Sequence, residues 1–148
     1  STQNRIPAGK LKNVGTSAAV LSELVKRLIE HLGQWRIEKV ILSKQPDFIE
    51  KNQIILDADK VGNIVLRYWK AGDRFSPRGI NGSKKLARVM RDLHISAGER
   101  RIWPLVADEN HIYWIAFLRG SNYGLPDKNT KKYLLITLKK ENREDEES

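Results

Sequence analysis

Between Arg67 and Arg101 the chain gathers ten lysines and arginines against three acids, and threads glycines through the first half of that stretch at Gly72, Gly79 and Gly82. Guanidinium and ammonium groups spaced along a glycine-rich loop cannot supply a nucleophile with its base, but they bind phosphate well. Glycine lets the backbone approach an oxyanion closely and leaves its amides accessible. The cationic side chains singled out as phosphate contacts are Arg74, Arg78, Lys84, Lys85 and Arg88, flanked by Lys70, Arg91, Arg100 and Arg101. The structural alternative for Arg74 is an ion pair with Asp73 or Asp92 that merely holds the loop shut. Asp73 itself is better suited to accept turn hydrogen bonds than to act as a catalytic acid. Trp69 and Phe75 have the chemistry to stack on a base, but large aromatics beside β-type runs are more often core. Trp103 and Trp114 are assigned to the core on the same grounds.

Other chemistries are thinly represented. The chain has no cysteine, which removes disulfides, thiol nucleophiles and thiolate metal sites. His31, His94 and His111 share no ligand spacing. Gly79-Ile80-Asn81-Gly82-Ser83-Lys84 has the flavour of a phosphate loop at the wrong spacing, and no dinucleotide, zinc-protease or nucleophile-elbow motif occurs. No metal, cofactor or small-molecule substrate is therefore expected in this chain.

The 148 residues carry a formal charge of +9, unevenly spread. The last eight hold five acids and one arginine, so residues 1–140 carry +13, a field that draws in polyanions. Residues 141–148 read as a disordered acidic tail. No run is long enough to span a membrane and no apolar signal core opens the chain, so an unexported, cytoplasmic protein is expected. Ser1 implies either a trimmed initiator or a piece of a longer protein.

The elements that must position the basic loop follow from periodicity. Val20, Leu21, Leu24, Val25, Leu28, Ile29 and Leu32 predict a helix over 17–33, and Trp35, Ile37, Val40 and Ile41 a shorter second one. Residues 53–57 and 63–68 read as strands joined by a turn at Gly62-Asn63. A long loop runs from Trp69 to Ser83, and Ser83 caps a helix from Lys84 to Leu93 whose open first turn would face an anion. Lys84 and Lys85 there oppose the helix dipole, a conflict that a bound phosphate would resolve. Glu99 to Trp103 adds a helical turn. Strands follow at 105–107, 111–118 and 133–139, with Asp108-Glu109-Asn110 turning the first pair. The expected class is α+β: a small mixed domain of short β-strands around one amphipathic helix, preceded by an N-terminal helical segment.

The stretch Leu66-Arg67-Tyr68-Trp69-Lys70-Ala71-Gly72-Asp73-Arg74-Phe75-Ser76-Pro77-Arg78-Gly79-Ile80-Asn81-Gly82-Ser83-Lys84-Lys85-Leu86 resembles the signature of the C-terminal domain of tRNA(Ile)-lysidine synthetases. Likeness continues through Glu99-Arg100-Arg101-Ile102-Trp103-Pro104-Leu105 and the run from Ile112 to Arg119, with Leu56-Asp57-Ala58-Asp59-Lys60 as lead-in, spanning about residues 54–138. It departs at Gly120-Ser121-Asn122-Tyr123-Gly124-Leu125-Pro126, where the family tends to carry an Asp-Arg-Phe-Lys-like run. The resemblance divides the chain into residues 1–52, similar to a remnant of the family's middle domain, a tRNA-recognition domain over 53–140, and the tail. It implies a parent ligase that uses ATP and magnesium to attach lysine to an anticodon cytidine. The adenylating Ser-Gly-Gly-x-Asp-Ser loop of that parent is not present in this sequence. It further implies that this module is non-catalytic and selects tRNA by its acceptor region. A homodimer is left open. The alternatives are a stand-alone interaction or RNA-binding protein with no link to lysidine formation, and a small nuclease, against which the lack of paired carboxylates near the loop argues.

Overall fold

In the computed structural model, residues 5–7 and 35–140 are described. Of the described residues strand takes up 40% against 9% helix, so the expected α+β class is corrected to a mostly β architecture. The expected helix over 17–33 and the acidic tail lie outside the described residues.

The strands are β1 (Arg5–Pro7), β2 (Trp35–Leu42), β3 (Phe48–Glu50), β4 (Gln53–Asp57), β5 (Val65–Arg67), β6 (Arg74–Phe75), β7 (Lys84–Lys85), β8 (Leu105–Ala107), β9 (Ile112–Ile115), β10 (Arg119–Gly120) and β11 (Tyr133–Lys140). Among the described residues the one α-helix, α1, is Leu86–Asp92, and a 3-10 turn covers Glu99–Arg101. The segment 35–41, expected as a second helix, is instead an extended edge strand. β2 pairs antiparallel with β11 from Trp35↔Lys140 to Leu42↔Tyr133, and that long-range ladder overrides the local spacing of its apolar residues.

Two sheets and two short ribbons result. A three-stranded sheet has the order β2-β11-β4, and a four-stranded antiparallel sheet the order β10-β9-β8-β5. β1 pairs with β3, and β6 with β7.

The four-stranded sheet is the middle layer, and its sequence shows why. Side chains alternate across a strand, yet Leu105, Val106 and Ala107 are all fully buried. Leu105 and Ala107 join α1 and the β6 strand in one core, with Phe75, Leu86, Val89, Met90 and Trp103. Val106, Tyr113 and Trp114 join the three-stranded sheet in the other, with Ile54, Leu56, Leu134, Ile136 and Leu138. A sheet covered on both faces needs apolar residues at every position, the pattern of Leu-Val-Ala and Ile-Tyr-Trp-Ile. Trp103 and Trp114 sit in these cores, as expected, and the Trp103 Nε1–H donates to the Ala116 carbonyl at 3.1 Å.

A buried carboxylate locks the β8–β9 turn. Asp108 accepts from the Asn110 and His111 amides, each at 2.8 Å, from Gly62 N–H at 2.8 Å and from the Tyr113 hydroxyl at 2.5 Å. Burial alone would raise its pKa, but the Tyr113 hydroxyl and the three amides outweigh it and bring the carboxyl down to about 2. No helix among the described residues is long and apolar enough to cross a membrane.

Candidate nucleic-acid interface

The basic loop is built outward from an ion pair. Arg67, at the end of β5, grips Asp73 with both terminal guanidinium nitrogens, Nη1 and Nη2, at 2.9 and 3.1 Å. Asp73 also accepts the Lys70 amide at 2.8 Å, the turn role expected of it, while its carbonyl takes the Leu86 N–H at the start of α1. Burial pushes the Asp73 carboxyl up; Arg67 and the Lys70 amide more than offset this and hold it below its ordinary value. Asp73 therefore ties three elements together: β5, the 70–73 turn and the helix.

Immediately after it, Arg74 and Phe75 pair with Lys85 and Lys84 in a two-stranded ribbon. Directly opposed residues share a face. Phe75 points inward, 1% exposed, so the base-stacking role considered for it is excluded and Lys84 lies half-buried beside it. Arg74 and Lys85 share the outer face, where two like charges stand opposed at some cost to the ribbon. The expected Ser83 cap is corrected here. Lys84 and Lys85 belong to the ribbon, α1 begins at Leu86 with no side-chain cap, and Ser83 instead accepts from Arg74 Nε at 2.9 Å and from its Nη2 at 3.0 Å through the carbonyl. The extended pairing of residues 84–85 defeats the helical start. Arg74 thus pairs with neither Asp73 nor Asp92; its guanidinium is fixed by Ser83 and stays exposed.

The ribbon's loop, 76–83, is held by Asn122. Its Nδ2 donates to Ser76 Oγ, Pro77 O and Ile80 O within 2.9 Å, and its Oδ1 accepts the Gly79 amide at 2.8 Å. The Gly79 amide expected to be free for a ligand is thus engaged. The Gly72 and Gly82 amides have no partner within the described residues. Gly79 and Gly82 adopt φ of +84° and +81°, with open space where a Cβ would stand, so backbone conformation and not crowding requires glycine there.

The remaining cations lie around this loop. Arg78 and Lys70 are exposed on the loop segments, Arg88 and Arg91 on α1, and Arg101 on the following turn. Arg100 is half-buried with its guanidinium carbon 5.2 Å from the Trp69 ring centre, so Trp69 serves as its platform. Among the described residues, none of Lys70, Arg74, Arg78, Lys84, Lys85, Arg88, Arg91, Arg100 and Arg101 lies within salt-bridge distance of a carboxylate. No group of three or more potential metal ligands occurs there either.

Two residues outside the sequence-derived set prove to position the loop: Arg67 and Asn122. The sequence offers a signal only for Arg67, which falls within the stretch of resemblance.

Comparison with known proteins gives a consistent picture. Residues 64–136 match the family model of the TilS substrate C-terminal domain. The tRNA(Ile)-lysidine synthase of Caldanaerobacter subterraneus subsp. tengcongensis is 40% identical over 115 residues, covering 76% of this chain and 25% of that protein. That of Clostridium acetobutylicum is 40% identical over 92 residues, 62% of this chain and 20% of that one. This chain thus spans a quarter or less of the relatives it matches. The crystal structure of a TilS C-terminal domain superposes with a TM-score of 0.62 at 24% identity, over 73% of this chain and 85% of that one, a likeness of fold.

Proposed function

Since this chain belongs, over residues 64–136, to the family of TilS substrate C-terminal domains, we propose that it binds tRNA, holding the acceptor region through the backbone phosphates. The observation that carries this reading is the outer face of the β6–β7 ribbon. Arg74 and Lys85 stand directly opposed there, and among the described residues no carboxylate lies within salt-bridge distance of either. Opposed like charges destabilise a ribbon unless an anion lies between them, and RNA duplex is gripped chiefly through phosphates, 2′-hydroxyls and shape. A rigid loop whose curvature is set by Gly79, Gly82 and Asn122 follows a curved backbone without paying ordering entropy on contact.

In this reading the domain serves a parent enzyme that attaches lysine to an anticodon cytidine with ATP and magnesium in another domain, in the cytoplasm. This chain itself holds neither and selects the substrate. Titrating an unmodified tRNA transcript at several salt concentrations tests the idea. With five phosphate contacts, log affinity falls against log salt with a slope of about −3.5 to −4.5. Arg74→Ala with Lys85→Ala weakens all tRNAs by similar factors, because phosphate contacts position and do not specify. A salt-independent affinity contradicts the proposal.

A further inference from the structure

Arg119 meets Arg78 where two segments cross. The Arg78 amide donates to the Gly120 carbonyl at 3.1 Å, and Pro77 bridges Ser121. Arg119 Nη2 donates to the Arg78 carbonyl at 3.0 Å. In the other direction the Arg78 guanidinium lies flat on Gly120: a Cβ there would stand 2.6 Å from Nη2 and 2.9 Å from Cζ. Its Nε reaches the Ser121 carbonyl only at 3.4 Å, a weak bond. Arg119 therefore folds back onto the Arg78 backbone while the Arg78 side chain crosses residues 120–121, and no described carboxylate is within salt-bridge distance of either.

Two neighbouring guanidiniums without an acid are a costly arrangement in a folded protein. Although Arg78 as a whole is exposed, partial desolvation of its guanidinium against Gly120 and Ser121, together with the Arg119 charge, works against its own charge. A single tetrahedral oxyanion relieves it, since each planar fork can donate two parallel hydrogen bonds to phosphate oxygens. Resting on the RNA-binding reading above, we propose that Arg78 and Arg119 form a two-arginine clamp for one backbone phosphodiester of the bound RNA, with Gly120 as the residue that seats Arg78 in it.

Gly120 makes the idea testable at constant charge. Its φ is not in the left-handed region, so alanine is conformationally allowed, and the atoms its Cβ would strike are the mobile end of Arg78. Binding of an unmodified tRNA transcript is measured for wild type, Gly120→Ala, Arg78→Ala, Arg119→Ala, Arg119→Lys and Arg78→Ala/Arg119→Ala, with thermal melts alongside. The clamp predicts about tenfold weaker binding for Gly120→Ala with an unchanged melt, and a loss of similar size for each arginine variant. The double variant falls little below the singles, because both arginines serve one phosphate. The salt slope becomes shallower by about one. Arg119→Lys, which keeps the charge but not the fork, guards against loss of fold and loses affinity too. Wild-type affinity in Gly120→Ala and Arg119→Lys, alongside weakened binding in Lys85→Ala, overturns the clamp and leaves RNA binding standing. Failure of the wild-type chain to bind tRNA overturns both.

Discussion

Replacing Asp108 by asparagine tests the packing logic that holds the interface in place. The carboxylate is 6% exposed and accepts four hydrogen bonds, three from amides and one from a hydroxyl. Its pKa of about 2 in the fold compares with an ordinary value of 3.8. At about 1.4 kcal/mol for each factor of ten, this corresponds to about 2 kcal/mol of stability carried by the charged form. The depressed folded value fixes the sign. The contribution is fully present above about pH 4 and is lost as pH falls toward 2. The substituted amide would keep one acceptor oxygen but turn an NH2 group toward N–H donors that need an acceptor. Thermal unfolding of Asp108→Asn at pH 7 should fall by roughly 5–10 °C for a domain of this size. The gap between variant and wild type should narrow between pH 4 and pH 2. A variant that melts with wild type at pH 7, or a gap that stays constant down to pH 2, refutes the assignment.

Three further outcomes follow from the same contacts. Asp73→Asn, which breaks the bidentate grip of Arg67, should cost about 1–3 kcal/mol by chemical denaturation and weaken tRNA binding, because the ribbon and helix start hang from that residue. Gly82→Ala, at φ +81°, should cost about 1 kcal/mol or more, whereas Gly98→Ala, at φ −69° and also in open space, should be neutral or slightly stabilising. Asn122→Ala should loosen the 76–83 loop and lower tRNA affinity several-fold with a small change in melting, read by titration and calorimetry in parallel.

The local elements with unambiguous periodicity were legible. Residues 53–57, 105–107 and 133–139 read as strands and are β4, β8 and β11, and the turn at Asp108-Glu109-Asn110 joins β8 to β9. Both ends of the helix are legible to within two residues, but its cap is not, because Lys84 and Lys85 join a cross-strand pairing and Ser83 binds Arg74, contacts that no local signal announces. The same holds for Trp35–Leu42. Its partner, β11, lies nearly a hundred residues away, and its apolar residues at 35, 37, 40 and 41 fit a helical face as well as a strand. The class moves from α+β to mostly β because strand outweighs helix throughout the described residues, this ladder included. In the interface, the cations were visible as charge, while the partners that orient them were not. Asn122 and Gly120 gain their roles only where residues 120–122 cross 76–79, a contact fixed by tertiary structure alone.

Amide and arginine side-chain chemical shifts of the isotope-labelled chain, followed as unmodified tRNA transcript is added, would locate the bound surface residue by residue. Perturbations are expected to concentrate on 70–88 and 119–122, with the exposed edge strand at Val40 and Ile41 unmoved. Shifts centred on that edge strand and sparing the Arg74–Lys85 ribbon would contradict this.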